Sequence, residues 1–221
     1  MNTKQHSFLY RNGLTLFFLG LFIITLIAQI LTGWKEHDQE ILEKGGSKLS
    51  LSAYLHSGHF ISATFENFQS EFLQMGMYVL LTVGLRQIGS AESKSLDEEE
   101  DVDREPIPGP NAPAPVNKGG IWLKLYNHSL SICFFLLFFV SWGLHLYGSW
   151  LDHNDQQILM HRPPDSVIKF LGDPTFWFET FQNWQSEFIS IVSIVFLTIY
   201  LRQKGSPESK PVDAPHMETG K

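Results

Sequence analysis

The sequence predicts an all-α membrane protein of four transmembrane helices, arranged as two tandem helix pairs of the same orientation that form a pseudo-twofold bundle. Three observations lead there. Apolar residues are gathered into a few long blocks, the second half of the chain repeats the first, and lysine and arginine are shared unequally among the connecting segments. The overall hydrophobic content, 43% of 221 residues, resembles that of a water-soluble protein, so the average hides this pattern.

The first block, Leu14 to Leu31, is uncharged, and Gln29 is its only strongly polar side chain. At about 1.5 Å per residue it covers about 27 Å, nearly the thickness of a bilayer core, and predicts a helix over about 13–34. It exceeds the apolar core of a signal peptide. It also ends in Gln29-Ile30-Leu31-Thr32-Gly33-Trp34 without a small-x-small site, so it reads as a retained anchor. The second block, Phe72 to Leu85, is short. Extended backwards through the aromatic-rich Phe60 to Phe72 it reaches full length, over about 65–87. The third, Leu130 to Leu151, carries Trp142, Tyr147 and Trp150 near one end, where amphipathic rings favour the headgroup layer, and predicts a helix over about 128–151. The fourth, Phe188 to Leu201, extends back through Phe176 to Phe188 and predicts a helix over about 180–203.

Residues 1–94 and 121–210 thus form two helix-pair repeats. Between them lies an acidic segment, 95–120, with Pro106, Pro108, Pro110, Pro113 and Pro115, too polar for a core and too proline-rich for a helix; it is expected to be a disordered cytoplasmic linker. Its acid run supplies much of the net charge of −7 and argues against nucleic-acid binding, which needs a basic stripe. Residues 211–221 read as a disordered tail. Lys4, Arg11, Arg86, Lys94, Arg104, Lys118, Lys124, Arg202, Lys204, Lys210 and Lys221 fall in the N-terminus, the linker and the C-terminus, against only Lys35, Lys44, Lys48, Arg162 and Lys169 in the other loops. The bias places both termini and the linker in the cytoplasm. The single cysteine, Cys133, sits in an apolar run and reads as a small filler.

Superposing Tyr10 on Tyr126 and Lys94 on Lys210 gives about 28 identities over about 85 ungapped positions, against about five expected by chance. The densest match sets Phe60, Thr64, Phe65, Asn67, Gln69, Ser70, Glu71 and Phe72 on Phe176, Thr180, Phe181, Asn183, Gln185, Ser186, Glu187 and Phe188. A second sets Leu85-Arg86-Gln87, Gly89-Ser90 and Glu92-Ser93-Lys94 on Leu201-Arg202-Gln203, Gly205-Ser206 and Glu208-Ser209-Lys210. Trp34 and His37 recur as Trp150 and His153. A one-residue slip then aligns Asp38-Gln39 with Asp155-Gln156. An even number of spans per unit inserts both copies the same way up.

The combination of Asn12-Gly13-Leu14, Phe65-Glu66-Asn67-Phe68-Gln69-Ser70-Glu71-Phe72 and Leu201-Arg202-Gln203-Lys204-Gly205-Ser206-Pro207-Glu208-Ser209-Lys210 resembles an uncharacterised bacterial family of duplicated four-helix integral membrane proteins. The resemblance covers nearly all of the chain outside linker and tails. It implies class and a multi-pass place in a bacterial inner membrane, and no reaction, ligand or cofactor.

One constellation carries chemistry. Helical spacing puts Gln29, Gly33 and His37 on one face, and His145, Ser149 and His153 on its counterpart. Asn67, Ser70, Glu71 and Gln74 share a face of the next helix, as do Asn183, Ser186, Glu187 and Ser190. Glu71 lies about 22 Å of helix from Arg86, in the outer part of the membrane, where a carboxylate needs a partner or an interior position. His37 and His153 are the expected partners. Three readings stand open: a polar outer pocket that binds a proton, a metal or a small ligand; interhelical hydrogen bonds that hold the repeats in register; or carboxylates in the headgroup layer. Arg86 and Arg202 mark cytoplasmic helix ends and are candidates for contact with lipid headgroups. His56 and His59 read as loop residues, since the second copy has Gly172 and Thr175 there.

No phosphate loop, nucleophile elbow, zinc-ligand spacing or dinucleotide fingerprint is present, so no catalytic residue, metal ligand or cofactor is assigned. The expected partners are the lipid bilayer and a membrane protein or second copy of the chain, with no nucleic acid. The sequence favours a non-enzymatic structural or interaction module. The alternatives are a small channel or transporter using the outer pocket, and a membrane enzyme with a Glu/His acid-base pair.

Overall fold

The computed structural model describes residues 6–220; Lys4 and Lys221, counted above among the cytoplasmic cations, lie outside the described residues. The described residues contain no strand. They form α1 (Phe8–Glu43), α2 (Leu51–Tyr54), α3 (Gly58–Leu81), α4 (Ala114–Lys118), α5 (Gly120–Asn127), α6 (Ser129–Leu159), α7 (Val167–Phe170) and α8 (Pro174–Tyr200).

Local chemistry sets the boundaries. Ser7 Oγ accepts from Tyr10 N–H at the start of α1, and the helix runs past its apolar block to a last turn where Glu40 and the C-cap Lys44 form an i,i+4 ion pair at 2.6 Å. It stops where Gly45 takes φ +81°. Ser50 caps α2, and Asp173 with Pro174 opens α8. The expectation of no helix in the linker is corrected at two points. A 3₁₀ turn covers Asp101–Asp103, and α4 forms around Pro115, which a first helical turn tolerates because its missing N–H has no acceptor there. Gly89 and Gly205 have φ of 80° and 85° in the turns beyond the ends of α3 and α8.

The order long helix, four-residue helix, long helix occurs twice, as α1-α2-α3 and α6-α7-α8. Hydrogen bonds recur with it. Trp34 Nε1 donates to Leu49 O at 2.9 Å and Trp150 Nε1 to Asp165 O at 2.8 Å. Leu49 N–H donates to Asp38 Oδ1, and Asp165 N–H to Asn154 Oδ1. That last pair matches Asp38 to Asn154 in unbroken register, so the one-residue slip is not needed there.

The chain divides into two compact units, Met1–Ala63 with Tyr147–Phe170, and Thr64–Leu146 with Leu171–Lys221. In the first unit Tyr54 is 1% exposed, its hydroxyl lies over Gly33, and the start of α3 meets α6 at Gly58 and Gly148. A Cβ on either glycine would run into the other helix's backbone, at Asp152 N for Gly58 and at Ser62 N for Gly148. Ser62 and Ser149 hydroxyls bond at 2.7 Å at the same crossing. In the second unit Leu73, Phe138, Phe176 and Ile199 are buried together with Gln69, Ser70, His145 and Thr180. There Gly89 N–H donates to Thr219 Oγ1 and Gly220 N–H to Ser90 O, while the buried Lys210 ammonium donates to the carbonyls of Pro215, His216 and Glu218.

Among the described residues two helices, α1 and α6, are long and apolar enough to cross a membrane. The helices α3 and α8 run 24 and 27 residues, ample in length, but Glu66, Glu71, Glu179, Glu187 and neighbouring amides dilute their apolar content.

Candidate functional site

The candidate site residues fall in two groups, one in each unit. In the first unit the last turns of α1 carry His37 and Glu40, and α6 carries Asp152, Asp155 and Gln156. His37 is 6% exposed and stacks on His59 with ring centroids 4.4 Å apart. His59 is in the first turn of α3 rather than in a loop; its Nδ1 is 3.4 Å from Tyr54 Oη and its Nε2 is 3.5 Å from Glu36 Oε2. His37 Nδ1 is 3.8 Å from Glu40 Oε2. The copy-equivalent His153 pairs with Asp165 at 3.2 Å. Lys169 also reaches Asp165, and the hydrogen bonds from Lys169 and His153 hold its carboxyl below the usual aspartate range, the Lys169 contact contributing most. The His37 ring therefore packs against His59, with Glu40 nearby but beyond hydrogen-bond reach, while His153 meets Asp165. The missed ones, His59 and Asp165, differ between the two copies, so the repeat carried no signal for them. Gln29 sits half-buried in α1.

The second unit holds the carboxylates of the repeated signature. Glu71 is exposed and Glu187 half-buried. The interhelical work falls to their neighbours. Asn183 Nδ2 donates to Glu66 Oε1, Trp184 Nε1 donates to Gln69 Oε1 at 2.7 Å, and Gln74 Nε2 donates to Glu187 O at 2.8 Å and to Ser190 Oγ. Glu66, which reasoning from the repeat passed over because its counterpart is Gln182, thus takes the interhelical carboxylate role expected of Glu71. Ser70 and Ser186 hydroxyls return to the carbonyls of Asn67 and Asn183, each at 2.8 Å. His145 is fully buried and stacks on Phe176 at 5.1 Å.

The candidate headgroup arginines close helix ends. Arg86 Nη1 donates to Thr82, Val83 and Leu85 carbonyls, and Arg202 Nη1 to Thr198, Ile199 and Leu201. Their Nε groups reach Ser95 O and Pro211 O, both at 3.2 Å. Arg202 thus satisfies carbonyls of the last turn of α8, and Arg86 those of the turns just after α3, each cation near the negative end of a helix dipole.

No curated protein and no solved structure matches the chain. Its sequence matches over residues 5–221, and the chain therefore belongs to the family described as Domain of unknown function (DUF6766).

Proposed function

We propose that the chain is a multi-pass integral protein of a bacterial inner membrane, with α1, α3, α6 and α8 all crossing lipid as two like-oriented copies of one helix pair. In this reading it is a non-catalytic structural or interaction module whose termini and acidic linker face the cytoplasm. The observation that carries it is α1. None of its 18-residue apolar window is buried, and Phe17, Phe18, Ile24 and Ile27 are all more than half exposed. Water covers such a surface at high cost, whereas lipid or another helix covers it at none. The hydroxyls of Thr25 and Thr32 turn back to the carbonyls of Leu21 and Ala28, as a lipid environment requires.

The recurring bonds of the two copies support the duplication, and an even number of crossings in each supports one orientation for both. The spending of Gln69, Gln74 and Asn183 on interhelical hydrogen bonds supports the module reading, since these side chains act on the protein itself. Reporter fusions test the topology. Fusions after Glu105 and at the C-terminus should report cytoplasm and fusions at Ser47 and Pro163 the far side; a far-side signal from the linker refutes the arrangement. Proteoliposomes test the role. Ion and proton flux should equal that of empty vesicles, and flux abolished by Glu71→Gln with Glu187→Gln would replace the module by a transporter.

A further inference from the structure

The first unit contains a cavity of about 290 Å³ between the end of α1 and the end of α6. The charged and amide side chains of its wall are His37, Glu40, Lys44, Asp152, Asp155 and Gln156, joined by the hydroxyls of Ser47 and Ser57. Three carboxylates stand there against one ammonium. That ammonium is already engaged, since Lys44 Nζ lies 2.6 Å from Glu40 Oε1 and 3.2 Å from Gln156 Oε1. Asp152 accepts from Gln156 Nε2 at 2.9 Å through one oxygen, and Asp155 has no hydrogen bond or ion pair among the described residues. The His37 side chain is more than nine-tenths buried, lines the cavity, and its Nδ1 has no hydrogen-bond partner. A buried ring nitrogen left open in this way costs free energy until a partner arrives. Ile41, Leu49, Ile158 and Leu159 supply the apolar wall.

We propose that this cavity binds a small organic cation, an ammonium carried on an apolar body of a few carbons. The carboxylates of Asp155 and Asp152 attract the ammonium, His37 stands in the same wall, and the carbon body lies on the isoleucine and leucine wall. An anion would meet excess negative charge, and a neutral apolar molecule would leave the acceptors unpaired. Among the described residues no three His, Cys, Asp or Glu side chains are placed to share a metal ion. The site stands on the first unit alone and does not depend on how many helices cross lipid.

The test is a ligand-detected NMR titration of the full chain in an uncharged detergent with n-butylammonium, using n-butanol and butyrate as the neutral and anionic controls. Saturable binding of n-butylammonium is expected, with none of either control. Asp155→Asn, at an exposed position that the fold does not use, should weaken binding at least about tenfold, the loss of one charge-assisted contact. Asp152→Asn, checked for an unchanged helical circular-dichroism spectrum, should do the same. Failure of n-butylammonium to saturate, equal binding of butyrate or n-butanol, or unchanged affinity in Asp155→Asn each overturns the site.

Discussion

Asp165 ties together four residues of α6 and α7 through both its backbone and its carboxylate. Its carbonyl accepts from Trp150 and Asn154, its N–H donates to Asn154, and its carboxylate meets His153 and Lys169. Because the hydrogen bonds with Lys169 and His153 depress its pKa in the folded chain, the carboxylate's contribution is fully present above the unfolded aspartate value near 4 and is lost as pH falls through the lower folded value. Thermal melts in detergent should therefore show a midpoint that drops on acidification below about pH 4. Asp165→Asn should lower the midpoint at neutral pH and flatten that acid dependence; an unchanged acid limb would show that other carboxylates set it. At this scale the sequence was half legible. The pairing of Trp34 with Trp150 and of His37 with His153 could be read by sliding the chain on itself. What each touches could not, because position 49 is Leu in one copy and position 165 Asp in the other, and a repeat reports only what its copies share.

Helices were legible where composition is uniform. The uncharged blocks of α1 and α6 announce themselves, whereas α3 and α8 begin at Gly58 and Pro174, ahead of the expected starts near 65 and 180. Helix contacts were not legible, because they depend on which small residues face each other. Gly148 and Gly143 look alike in sequence, yet a Cβ on Gly148 meets Ser62 N and Gly58 O while one on Gly143 meets nothing. Gly148→Ala should accordingly cost about 1–3 kcal/mol by forcing α6 from the start of α3. Gly143→Ala should be neutral or gain up to about 1 kcal/mol from helix propensity, and equal effects in chemical denaturation would refute the close crossing. The interhelical polar bonds invite a double-mutant cycle. Glu66→Ala and Asn183→Ala should show a coupling of about 0.6 kcal/mol and no more than about 1.7. A coupling of zero would mean that the pair does not form in detergent.

At the scale of the molecule the two compact units do not coincide with the two copies. The first unit takes α1, α2 and the start of α3 from one copy, and the end of α6 with α7 from the other. The second likewise draws on both. Residues 1–94 expressed alone should fail to accumulate, as should 121–221, whereas co-expression should restore both to near the level of the full chain on immunoblots. Stable accumulation of either half by itself would show that a copy folds independently. The identities between the halves were legible in the sequence, but this division was not, since sequence similarity says nothing of which surfaces bury one another.

That division has a consequence for how the chain can change over time. A half whose folding surface is supplied by its twin can be neither dropped nor exchanged without stranding the other. A substitution that reshapes the buried surface of one half should then be relieved by a change in the other.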